Sequence, residues 1–113
     1  MLFRSVARAR RPAAPMGARP ASVDALAFAT LDELGARLRA RHVTFVQLTR
    51  MYLDRLKRAN DTLFAVVTFT EELALAQAAQ ADADLAAGID RGPLHGLPYG
   101  IKDPFATKGI RTT

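Results

Sequence analysis

Residues 63–69 read LFAVVTF, a run of β-branched and aromatic residues with no polar face. Asn60-Asp61 precedes it and Thr70 follows, which leaves too little room for a helix. The composition predicts a strand buried on both faces. Such a strand needs paired neighbours and cover on two sides. Short apolar 97–101, interrupted by Pro98 and Gly100, is the only other strand candidate. With two strands and three helices, and an end at Thr112-Thr113 just past a glycine turn, the chain reads as the first portion of a larger α/β protein.

The helices are punctuated clearly. Thr30 with Glu33 forms a capping box, and Leu31, Leu34 and Leu38 then mark one face of a short helix to about Ala40. Thr44 with Gln47 is a second box, opening a helix to about Ala59. Phe45, Leu48, Thr49, Tyr52, Leu53 and Leu56 form its apolar stripe. Joined by 41–43, these two predict a helical hairpin. Thr70 is the expected cap of a third helix, with Glu71 and Glu72 in its first turn. Ala74, Ala78, Ala81 and Leu85 give it a small-residue face for close packing, and Gly88 supplies its left-handed stop.

Charge separates the chain into two parts. The net charge of +5 resides in residues 1–23, where Arg4, Arg8, Arg10, Arg11 and Arg19 occur without an acid. From Asp24 onward, 11 Lys and Arg balance 11 Asp and Glu. This removes a nucleic-acid-binding face, which needs clustered cations within the folded part. Arg37, Arg39 and Arg41 are the tight group there, and they suit a solvated helix end. The Arg- and Ala-rich leader has the composition of an organellar transit peptide, mitochondrial or plastid. A disordered extension or a mis-called start on a cytoplasmic protein is the alternative. The body is 24–113. No apolar run is long enough to span a bilayer, so no membrane association is expected. The absence of cysteine excludes disulfides and thiolate chemistry, and His42 and His95 stand far apart, so no metal and no cofactor are expected.

Residues 92–103, GPLHGLPYGIKD, surround one lysine with three glycines and two prolines. Gly96 and Pro98 set backbone angles that ordinary residues resist, and Gly100 leaves one face of the short strand open to another backbone or a substrate. Ile101 and Lys102 alternate across it, with Asp103 returning to the side of Ile101. A lysine held among apolar and backbone groups is pushed toward the neutral amine, which acts as a base; one that reaches water is an ordinary charged terminus. His95 reads as a packing or turn residue and Tyr99 as core.

The segment GPLHGLPYGIKDPFATKGIRTT resembles the lysine-bearing segment of the amidase signature family, and upstream VTFVQLTRMYLDRLKRAN and LFAVVTFTEELALAQAAQADADLAAG fit that family's helices and first strand in order. The resemblance runs roughly over 27–113. It implies the N-terminal portion of an α/β fold with a mixed sheet flanked by helices: here a helical hairpin, a buried strand, an Ala-rich helix and a lysine-bearing strand. It implies further a Ser–cis-Ser–Lys amidohydrolase acting on carbon–nitrogen bonds, with a small-molecule amide as substrate. In such enzymes a neutral lysine takes a proton from a serine held by a cis peptide, and that serine activates the nucleophilic serine. The lysine maps onto Lys102.

The two serines do not map. Ser5 and Ser22 are the serines of the sequence, both in the leader. Thr107, Thr112 and Thr113 carry no base-plus-orienter pattern. The polypeptide alone is therefore not expected to hydrolyse amides by that mechanism. Pro104, after Lys-Asp, departs from the family pattern and removes a backbone donor. General amidases fit the GPLHG and LPYG segments best. The A subunit of a glutamyl-tRNA amidotransferase, a glutaminase with partner subunits, is the near alternative, favoured by KGIRTT and an organellar leader. A non-enzymatic helical interaction module is the reading from a different class.

Overall fold

A computed structural model describes residues 17–102 and 108–111. The basic stretch upstream of residue 17, and the expectations placed on Asp103, Pro104, Thr107, Thr112 and Thr113, lie outside the described residues. A 3-10 turn, Val23–Leu26, precedes three helices: α1 (Leu31–Arg39), α2 (Phe45–Leu63) and α3 (Glu71–Ala86).

Each helix begins and ends for a local reason. The Thr30 hydroxyl accepts from the Glu33 amide at 3.2 Å to start α1. That helix closes on Arg41, held at φ +58°. The Arg41 amide donates to the Leu38 carbonyl (3.1 Å) and the His42 amide to the Arg37 carbonyl (3.0 Å). This is the paired closure usually built on glycine. At α2 the reciprocal box forms in full: the Thr44 hydroxyl accepts from the Gln47 amide (3.0 Å), and the Gln47 side chain accepts from the Thr44 amide (2.9 Å). α3 starts after Thr70 without a side-chain cap, contrary to expectation. It ends as expected on Gly88, at φ +84°. The Gly88 amide donates to Leu85 (3.1 Å) and the Ile89 amide to Asp84 (2.8 Å).

α2 runs one turn further than the sequence suggested. Asn60 does not break it; its side-chain amide donates to the Val66 carbonyl (3.1 Å), and its side-chain carbonyl accepts from the Val66 amide (2.8 Å). Leu63 is consequently the last residue of α2, and Phe64 caps it at φ +49°. The remainder of the stretch expected as a strand forms no ladder; none of the described residues lies in a strand, and Ile110 makes an isolated bridge. Extended backbone acquires strand structure only from a paired neighbour. Here Asn60 takes the polar groups of Val66.

The core is centred on Leu48 of α2, which is wholly enclosed. Leu34 and Leu38 of α1, Ala78 and Ala81 of α3, and Leu26 of the 3-10 turn pack around it. The expected hairpin is displaced: the main partner of α2 is α3, then the 3-10 turn. Small Ala78 and Ala81 allow that approach. Leu31 and Leu56, on the expected stripes, are exposed, whereas Met51 is buried. Of the three arginines at the end of α1, Arg39 and Arg41 are exposed as expected and Arg37 is a correction. Arg37 is buried and Arg39 is ion-paired, because each finds backbone or carboxylate partners from a segment distant in sequence.

Candidate functional site: the lysine-bearing segment

The segment that carries Lys102 leaves α3 at Gly88 and is fastened to the helices at two levels. The first is polar. Asp90 accepts two bonds from Arg39 of α1, Nε to Oδ2 at 2.7 Å and Nη2 to Oδ1 at 3.0 Å. The same Nη2 donates to the Gly92 carbonyl (3.0 Å), and Asp90 Oδ1 accepts from the Gly92 amide (3.0 Å). Fork-to-fork pairing of this kind fixes orientation as well as distance. The Arg39 guanidinium, first, and the Gly92 amide, second, pull the Asp90 carboxyl down to about 2. Beside it, Asp84 of α3 accepts from Gln80 (2.9 Å) and from Arg91 (3.2 Å). Its carboxyl is lowered too, by Gln80 first and then by Arg91.

The second level is packing. His95 ring-stacks edge-on against Phe45, centroids 5.5 Å apart at 65°. Its Nδ1 accepts from the Arg91 amide (3.3 Å), and Nε2 lies 3.3 Å from the Ala81 carbonyl. The two bonds together suit the tautomer with hydrogen on Nε2. His95 is thus the packing residue the sequence suggested. Gly96 follows at φ +71°, seated so closely that a Cβ would stand 2.5 Å from Phe45 Cδ1 and 2.8 Å from the Ala81 Cβ. Leu97 packs against the core.

Beyond Leu97 the segment leaves the surface. Tyr99 is 84% exposed, contrary to its expected place in the core, because no described element stands over it. Residues 97–101 form no strand, and Lys102 is exposed at the end of the described stretch. Among the described residues, no group of His, Asp and Glu could hold a metal, and no helix is long and apolar enough to cross a membrane.

Two features of this seat were missed in the sequence. Asp82 of α3 accepts from the Phe45 amide (2.8 Å) and the Val46 amide (3.1 Å), capping α2 from another helix. Its signal was a carboxylate four residues after Ala78, on the face reserved for packing. The Arg39–Asp90 pair left no such signal.

Three helices presenting a glycine- and proline-rich lysine segment define a helical platform for a site. The chain belongs to the Amidase family, whose model matches residues 47–113. It is 48% identical over 84 residues to the A subunit of glutamyl-tRNA(Gln) amidotransferase from Geobacter sp. (strain M21), covering 74% of this chain and 17% of that protein. The protein of the same name from Methylococcus capsulatus is also 48% identical over 84 residues, with the same coverage. That from Sinorhizobium fredii is 46% identical over 83 residues, 74% of this chain and 17% of the relative. The chain therefore spans about a sixth of the length of these curated relatives. No solved structure matches it. The relatives carry the name of the near alternative, not of the general amidases that the GPLHG and LPYG segments favoured.

Proposed function

We propose that these residues supply the lysine-bearing N-terminal part of an amidase-type hydrolase of carbon–nitrogen bonds, and that the hydrolase to which such a part belongs is an amidotransferase A subunit. The observation that carries the reading is the family match running through GPLHGLPYGIKD, on a segment seated against the helices at Asp90, His95 and Gly96. The name of the relatives supports the narrower choice. Glutamine, or a like amide donor, is then the substrate hydrolysed at this subunit, and partner subunits hold the glutamyl-tRNA.

Lys102 has the role of base. As a neutral amine it accepts a proton from the bridging serine, which takes the proton of the nucleophilic serine as that oxygen attacks the amide carbonyl. The proton passes to the departing amine, and water then releases the acyl group as the acid. A neutral amine requires a dry surrounding. The described residues do not supply that cover, since Lys102 is exposed among them. With no serine between residues 23 and 113, the 113-residue chain by itself performs no such cycle.

A chimera tests this. Residues 27–113 replace the matching segment of the Geobacter protein, assembled with its partners. The chimera retains glutamine hydrolysis, and Lys102→Ala within it loses activity by about 10²–10⁴-fold. Undiminished hydrolysis by folded Lys102→Ala would overturn the assignment, as would turnover of glutamine by the 113-residue chain alone.

A further inference from the structure

The residues just ahead of the 3-10 turn are gripped by a buried charge. Arg37 of α1 is 7% exposed. Its Nη1 donates to the carbonyls of Gly17 (3.2 Å) and Ala18 (2.7 Å) and lies 3.1 Å from Nδ1 of His42. Its Nη2 stands 3.8 Å from Glu33 Oε1, a partner that is half exposed. Nε has no partner among the described residues. A buried guanidinium must be solvated by the protein, and removal of its acceptors leaves an uncompensated charge. The carbonyls of residues 17 and 18 are most of what this one has. Arg19 adds a return contact, Nη2 to the His42 carbonyl at 3.4 Å. Val23 then packs on the core and Leu26 is buried in it, while the Tyr52 hydroxyl donates to the Ala27 carbonyl (3.2 Å).

We propose that residues 17–22, largely exposed, are a strap held to the folded body by Arg37 through the Gly17 and Ala18 carbonyls, so that a processing endopeptidase acting on the basic stretch upstream must cut before Gly17. Composition alone treats residues 1–23 as one leader. The clamp divides it: Arg4, Arg8, Arg10 and Arg11 lie on the removable side, and Arg19 belongs to the body. A cut after Ala18 would take away both carbonyls and leave Arg37 with only His42 and the half-exposed Glu33. The inference does not depend on the amidase reading.

Native digestion of the intact 113-residue chain with proteinase K, with product termini read by intact-mass spectrometry, decides the matter. The expected persistent fragment begins at or before Gly17. A persistent fragment beginning within or after residues 18–23, or no persistent fragment containing the strap, would overturn the proposal. Arg37→Met is expected to speed cleavage within 17–22 by about tenfold, as the open population rises, with helical circular dichroism retained. Equal cleavage in a folded Arg37→Met chain would also overturn it. If that variant does not fold, the wild-type digest alone decides.

Discussion

Gly96 and Gly88 share a left-handed backbone, and they separate two reasons for needing glycine. At Gly88, φ +84°, nothing stands within 4 Å of where a Cβ would be. Gly88→Ala therefore meets only the backbone cost, about 1–2 kcal/mol. At Gly96 the added methyl also collides with Phe45 and Ala81. Gly96→Ala is expected to cost about 2–5 kcal/mol, the sum of backbone and overpacking costs. Urea midpoints at unchanged slope measure both; equal shifts would refute the seat of the lysine segment on α2 and α3. Phe64 inverts the sign. It adopts φ +49° with its ring exposed, so Phe64→Gly is expected to raise stability by about 0.5–1 kcal/mol. Gly88 was legible in the sequence because glycine occupied the expected stop. Phe64 and Arg41 were not, since their side chains give no sign of a left-handed backbone.

The start of α2 shows what an element owes to its neighbours. Its Gln47 amide is served by Thr44 three residues earlier, a pattern plain in the sequence. Its Phe45 and Val46 amides are served by Asp82 from α3, which no local window contains. The carboxylate also sits at the positive end of the α2 dipole. Asp82→Ala is expected to destabilise the chain by about 1–3 kcal/mol, against about 1 kcal/mol for Thr44→Ala. Because both caps serve one helix terminus, the double variant should depart from additivity. Thermal melts of the four chains complete the cycle; a neutral Asp82→Ala would remove the cross-helix cap as a source of stability. The run 63–69 illustrates the same limit. Its residues have strand character, but strand structure is a property of pairs, and in this chain Asn60 occupies Val66.

At the scale of the molecule, the helices form one unit through the core around Leu48, and the lysine segment is attached to that unit from outside. Its attachment at residues 90–92 is ionic and solvent-accessible, and so depends on pH in a way the apolar core does not. The Asp90 carboxyl, near 2, lies below its ordinary value of 3.8 because Arg39 and the Gly92 amide favour the charged form. A depressed carboxylate contributes stability that is fully present above the unfolded value and lost as pH falls through the folded one. The clamp should hold above about pH 4 and fail on acidification toward about 2. Asp84, lowered by Gln80 and Arg91, works in the same direction. Urea unfolding between about pH 5 and 2 should show stability falling with acid in the wild type, and falling less steeply in Arg39→Met, which has already lost the pair. The amides of Gly92 and His95 should lose hydrogen-exchange protection in the same window. An unaltered pH slope in Arg39→Met would mean that the fork seen at 2.7 and 3.0 Å does not carry the segment. Lys102, five residues past Leu97, would then owe its position to the apolar seat at Gly96 alone.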